Sequence, residues 1–150
     1  MNQPQIKEAG RQASMATLAA APAVELQALW DALGETPDYR VVRGPETGLV
    51  MVRGRAGGGG NPFNLGEATV TRATVRIATG EVGHSYALGR DGDKAVRAAI
   101  IDALWQREPA RIEAKILAPL RADRTSADGK RKAETAATKV NFFTMVRGDD

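Results

Sequence analysis

Apolar positions change their period along this chain, and each change marks an element. Residues 7–20 are alanine-rich and read as a helix. Leu26, Leu29, Trp30 and Leu33 then recur at i, i+3, i+4 and i+7, which puts them on one face of a second helix. Pro22 fits its first position, Gly34 can close it in the left-handed conformation, and Pro37 stops it from continuing. These features predict an N-terminal helical hairpin. The period then falls to two. Tyr39–Arg43 and Leu49–Arg55 read as β-branched strands flanking a turn around Gly44–Gly48. In the long strand Ala68–Ala78, Ala73, Val75 and Ile77 point one way and Arg72, Thr74 and Arg76 the other. Thr79-Gly80-Glu81 turns the chain into a last strand, His84–Leu88.

The helical period returns after the strands. Asp93 is placed to cap a helix over 94–107 with Val96, Ile100, Ala103 and Leu104 as its stripe. Pro109 opens another, with Ile112, Ile116 and Leu117 inward, ending near Pro119. Residues 121–138 are too polar to form a core and suit a solvated helix or an extended arm. The predicted fold class is α+β: the helical hairpin, about four antiparallel strands with helices on one sheet face, and an extended C-terminal arm. Residues 1–120 form a single domain in this reading, and 121–150 a polar arm with a docking tail.

That tail carries Phe142 and Phe143, two of only three phenylalanines, followed by Thr144, Met145, Val146 and Arg147. Termini usually fray and carry small polar residues. An aromatic tail behind a polar stretch is expected to dock, on its own sheet or on a partner, with Phe142, Phe143, Met145 and Arg147 as the docking candidates.

Composition narrows the chemistry. The chain has 150 residues, no cysteine and one histidine, His84. Disulfides and thiolate metal sites are excluded, and two histidines cannot meet at a zinc ion within one chain. No stretch is long enough to span a bilayer. The alanine-rich run 16–24 behind Lys7 and Arg11 faintly imitates a signal peptide, but it has little leucine or isoleucine and Glu8 sits in its basic end, so cytoplasm is the expected location. Net charge is +3, unevenly spread: residues 1–39 hold two basic and five acidic side chains, residues 40–97 nine basic and five acidic.

The basic excess is mostly arginine, whose forked donors suit phosphate oxygens or an acidic partner. Arg72 and Arg76 share a strand face about 13 Å apart. Arg53 and Arg55 share a face of an earlier strand and can lie across the sheet from them; Arg90 follows the last strand. The competing reading is a solvated sheet face. Gly57 and Gly58 open a four-glycine loop whose N–H groups could cradle phosphate, but it lacks the Lys-Ser/Thr of a phosphate-binding loop, and a plain hairpin loop explains it as well. His84 is a weak catalytic candidate. Glu46, Glu67, Asp91 and Asp102 offer carboxylates with no spacing that singles out a pair. No complete active site is visible. A nucleic-acid-binding module remains an alternative, although only Tyr39, Phe63 and Tyr86 accompany the basic strands and no stacking motif appears.

The segment Phe142-Phe143-Thr144-Met145-Val146-Arg147-Gly148-Asp149 resembles the C-terminal signature of the PhnG family, the G subunits of the bacterial carbon–phosphorus lyase core complex. Glu46-Thr47-Gly48-Leu49-Val50, Gly66–Ala73, Gly89-Arg90-Asp91 and Ile101-Asp102-Ala103-Leu104 resemble it in the same order, so the likeness spans nearly the whole chain. It implies assembly with H, I and J subunits, the I subunit most directly. The G, H and I subunits together are associated with displacement of adenine from the ribose C1′ of ATP by a methylphosphonate oxygen, which gives ribose 1-methylphosphonate 5-triphosphate in organic phosphonate catabolism. The I subunit carries nucleosidase-like chemistry, and the J subunit uses an iron–sulfur cluster and S-adenosylmethionine. The chain is then one subunit of a transferase, inactive alone, binding no cofactor by itself, with ATP as substrate of the complex. It either helps to anchor substrate or serves purely as an assembly scaffold.

Overall fold

The computed structural model describes residues 3–56 and 59–138. Helix α1 (Gln3–Ala20) is followed by α2 (Ala23–Leu33). Pro22 is the N-cap of α2, one place before the helix, and Gly34 closes it at φ 67° with its N–H on the Asp31 carbonyl. The two helices do not form a hairpin packed on itself. Helix α1 lies on the last strand and on the central helix α3 (Gly92–Arg107), while α2 packs on a helical turn after Ile112. The apolar stripe of α2 is directed to that turn, with Leu26 fully buried.

Among the described residues the sheet has three strands, β1 (Tyr39–Arg55), β2 (Pro62–Ile77) and β3 (Val82–Leu88), antiparallel in the order β1-β2-β3. The expected turn at Gly44–Gly48 is absent. Both segments belong to one strand, which absorbs Gly44 and Pro45 as irregularities between Val41 and Glu46 while its partner β2 runs on regularly. Gly44 takes φ 76°, and a Cβ there would lie 2.6 Å from the Arg72 carbonyl oxygen, so glycine is required. A bulge lets proline sit inside a strand, because its missing N–H interrupts no ladder bond.

Only Val70–Arg76 of β2 pairs with β3. Beyond Val70 the chain continues as a two-stranded ribbon, Leu49–Arg55 against Pro62–Thr69.

Asp91, not Asp93, caps α3: its side chain accepts the Lys94 N–H at 2.8 Å. The helix lies close on the sheet because both surfaces are small. Ala73, Ser85 and Ala87 face Ala95, Ala98, Ala99 and Ala103, all buried. At Gly83 a Cβ would collide with the Ala99 carbonyl oxygen and sit 2.7 Å from the Ala103 nitrogen. The core continues from this interface through Ile101 and Leu18 to Leu26, Ile112, Ile116 and Leu117.

Pro119 does not end the last helix. Helix α4 (Pro109–Ile112) passes into a π-helical turn, Glu113–Leu117, and then into α5 (Ala118–Ala137). In that turn the Ala118 N–H reaches back to Glu113, five residues instead of four. The shifted register directly precedes the residue that has no N–H to give. Residues 121–137 are therefore a helix, the solvated helix and not the extended arm of the two forms their polarity suits. Alanine, lysine, arginine and glutamate favour helix, Leu120 is buried at its base, and Asp128 pairs with Arg131 at 3.4 Å. The helix crosses residue 120 without a break, and Arg121 donates to Thr17 of α1 at 3.0 Å.

Candidate functional site

Helices cover one face of the sheet, and the opposite face holds its arginines. Three rungs run across that face. Arg40 lies opposite Arg76, which in turn pairs with Val82; Arg43 opposite Thr74 and His84; Glu46 opposite Arg72 and Tyr86. Period two puts the members of each rung on one side. Glu46 accepts from the Nε atoms of both Arg43 and Arg72, each at 2.6 Å. Partial desolvation opposes ionisation of Glu46, but the hydrogen bonds and charges of Arg72 and Arg43 outweigh it and hold the carboxyl below its usual range. The rung closes one side of a shallow pocket of about 160 Å³, lined also by Gly48, Val70 and Tyr86. Thr74 Oγ1 and His84 Nδ1 are 3.1 Å apart. The surface can hold an anion or meet an acidic group; its one carboxylate is already engaged by two guanidinium groups.

Arg72 and Arg76 share a face, as their spacing predicts. Arg53 and Arg55 are not across from them. They pair with Asn64 and Pro62 at the far end of the ribbon, so Arg53 stands about 26 Å along β2 from Arg72. Arg40 stands opposite Arg76 and Glu46 opposite Arg72 instead, with Arg43 on the rung between. A period of two would put Arg40 and Arg43 on opposite faces; the irregularity between Val41 and Arg43 brings them to one. Arg90 is exposed in the turn between β3 and α3. Gly57, Gly58, Phe142, Phe143, Met145 and Arg147 lie outside the described residues.

His84 is exposed on β3, and no carboxylate among the described residues bonds its ring. Glu67 lies on the ribbon opposite Met51, Asp91 caps α3, and Asp102 accepts the backbone N–H of His84 at 2.9 Å. Asp102 is fully buried and takes two further bonds from Arg11. It fastens β3 and α1 to α3 and has no oxygen aimed at solvent chemistry.

The ribbon adds a feature that spacing did not single out. Leu49 and Met51 stand on the side continuous with the helix-covered face, while one extra residue in β2 opposite Val52–Arg53 turns Phe63 and Leu65 to the other side with Gly54; the four keep 60%, 53%, 45% and 62% of their surface exposed. The helices end short of them. A Cβ at Gly54 would collide with the Leu65 side chain, which therefore lies flat along the ribbon. A two-stranded ribbon with bare apolar side chains is weakly stable alone.

The family described as "Phosphonate metabolism protein PhnG" matches residues 9–148. The chain belongs to the PhnG family. It is also 57% identical over 143 residues to a Rhizobium meliloti (strain 1021) protein named "Alpha-D-ribose 1-methylphosphonate 5-triphosphate synthase subunit PhnG", covering 95% of this chain and 92% of that one. The segments that resemble PhnG in sequence have distinct places in the fold. Glu46–Val50 lines the pocket beside Arg72. Gly66–Ala73 is the part of β2 that passes from ribbon to sheet, and there Thr71, buried, bonds Thr47 at 3.0 Å and the Gly89 carbonyl at 2.7 Å. Ile101–Leu104 holds the Asp102 anchor. In this PhnG chain Glu46–Val50, Gly66–Ala73 and Gly89–Asp91 thus gather where β1, β2 and the β3–α3 turn meet. No helix among the described residues is long and apolar enough to cross a membrane.

Proposed function

We propose that the protein is the G-type subunit of an α-D-ribose 1-methylphosphonate 5-triphosphate synthase within a carbon–phosphorus lyase complex, acting in the cytoplasm in organic phosphonate breakdown. The observation that carries this reading is the 57% identity to a protein of that name along nearly the full length of both chains. The H-, I- and J-type subunits are its partners, the I-type most directly. Methylphosphonate displaces adenine at C1′ of ATP ribose in the assembled enzyme, and ATP enters as substrate of the complex. The chain itself binds no cofactor.

The geometry supports a contributing part over a self-sufficient one. Displacement at an anomeric carbon needs a positioned nucleophile and stabilisation of a cationic transition state. Among the described residues the histidine ring hydrogen-bonds a threonine and no carboxylate, and Glu46 is tied to two arginines. Bare apolar side chains on both sides of the ribbon, Leu49 and Met51 on one and Phe63 and Leu65 on the other, suit a protein whose ribbon is covered by another subunit.

Co-expression with H- and I-type subunits, followed by mass measurement on size exclusion, tests the assembly. Adenine chromatography and phosphorus NMR with ATP and methylphosphonate test the reaction. A stoichiometric complex that forms adenine and ribose 1-methylphosphonate 5-triphosphate together is expected, with neither formed by the lone chain. Release of adenine by the lone chain, or no assembly, overturns the reading.

A further inference from the structure

The rung Arg40–Arg76 sets like charges directly opposite each other, an arrangement that destabilises a sheet unless an anion lies between them. Both side chains are exposed. None of the ion pairs among the described residues includes either one. Glu46 does not serve them: it stands two rungs away and already holds Arg43 and Arg72. Four guanidinium groups thus share one carboxylate on this face. We propose that the open face of the sheet is a binding site for a linear polyphosphate, with Arg40 and Arg76 as its principal clamp.

The chemistry and the dimensions agree. Guanidinium forks bind phosphate oxygens in pairs, and two forks on one rung can straddle a single phosphate. The row from Arg76 past Thr74 to Arg72 runs about 13 Å along β2, longer than one phosphate spans and suited to several in line. Thr74 and His84, joined at 3.1 Å on the middle rung, offer hydrogen-bonding groups between the guanidinium groups. The sheet backbone holds the whole row in register, so little ordering remains to oppose binding. The site lies wholly on this chain, so the proposal stands whether or not the G-type subunit reading holds.

The test uses the full chain alone. Thermal shift and calorimetric titration are run with inorganic triphosphate and with ATP, on the wild type, on Arg40→Gln/Arg76→Gln, and on Arg53→Gln/Arg55→Gln. The last removes the same charge from the far end of the ribbon. Both ligands are expected to stabilise the wild type and the ribbon variant alike. The Arg40/Arg76 variant should bind at least about tenfold more weakly, the loss of roughly one charge-assisted hydrogen bond or more. Without ligand that variant should be no less stable than the wild type, because the repulsive rung is gone; a marked loss of stability would overturn the clamp. A response to ATP but not to triphosphate would mean that the nucleoside is read instead of the phosphate chain, and equal weakening in both variants would mean diffuse charge. If triphosphate fails on the wild type while the Arg40/Arg76 variant loses a co-expressed protein partner, the face serves an acidic protein surface and the proposal falls.

Discussion

Arg11 grips Asp102 with two hydrogen bonds, 3.0 Å from Nε and 2.6 Å from Nη2, joining the first helix to the middle of α3. Asp102 is fully buried, and it also accepts the His84 N–H at 2.9 Å; Arg11 Nη2 reaches the Val82 carbonyl as well. One ion pair therefore fixes the helical layer and the edge strand in the same place. The Arg11 side chain keeps 31% of its surface, so its charge can return to water when the pair is broken. Asp102→Ala should cost about 2–3 kcal/mol, below the range for a wholly buried pair. Urea unfolding of the two proteins measures it. A change under half a kcal/mol would show that α1 and β3 are held by packing alone.

Gly83 marks the closest approach of strand and helix. A Cβ there meets the Ala99 carbonyl oxygen and the Ala103 nitrogen, both backbone atoms that cannot rotate aside. Gly83→Ala must push β3 off α3. A loss of about 1–3 kcal/mol is expected from overpacking, seen as a lower melting temperature with secondary structure retained. Gly48→Ala, where the added methyl meets open space, is the control and should change little.

This contact also shows what a sequence can and cannot disclose. The two-residue period of Ala73, Val75 and Ile77 identified the buried face of β2, and the i, i+3, i+4, i+7 stripe of Leu26, Leu29, Trp30 and Leu33 identified α2, because each pattern lies within one element. Pairing across elements was not readable. Gly44-Pro45 carries the composition of a turn, yet long-range pairing with β2 keeps the strand going, which removed one strand and set Arg40 opposite Arg76, Arg43 opposite Thr74 and Glu46 opposite Arg72. Pro119 carries the signal of a helix end, yet the π turn before it releases the proline from the usual hydrogen-bond register. Asp102 looked available for chemistry until Arg11, distant in sequence, was found bonded to it.

The ribbon gives a prediction about assembly. Leu49 and Leu65 each keep about three-fifths of their surface exposed, so charge there disturbs little in the lone chain. Leu49→Asp/Leu65→Asp should leave the unfolding free energy within roughly half a kcal/mol per site. The same change should weaken association with co-expressed partner subunits by at least about a hundredfold, since a carboxylate buried against an apolar surface is left unpaired. Size exclusion and calorimetry of the mixture separate the two effects. Undiminished assembly would place the partner elsewhere.

Lys94 is the other buried charge among the described residues, 8% exposed near the start of α3, with Nζ on the Ala19 carbonyl at 3.0 Å, near the end of α1. Burial pushes its ammonium pKa down from 10.5, only partly offset by Asp91. The sign of the pH effect follows from proton counting. Well below the folded-state pKa both states carry the proton, and the fold bears the full cost of burying the charge. Between the folded-state pKa and 10.5 the unfolded chain binds more protons, so stability rises with pH. Lys94→Met keeps the length of the side chain and removes the titration. The stability of the wild type relative to Lys94→Met should therefore grow as pH rises into that window and level off above it. Denaturant midpoints of both proteins at several alkaline pH values provide the curve. A difference that is flat across the window would mean that the ammonium is fully solvated, and one that falls would mean that the Ala19 carbonyl and Asp91 together outweigh its burial.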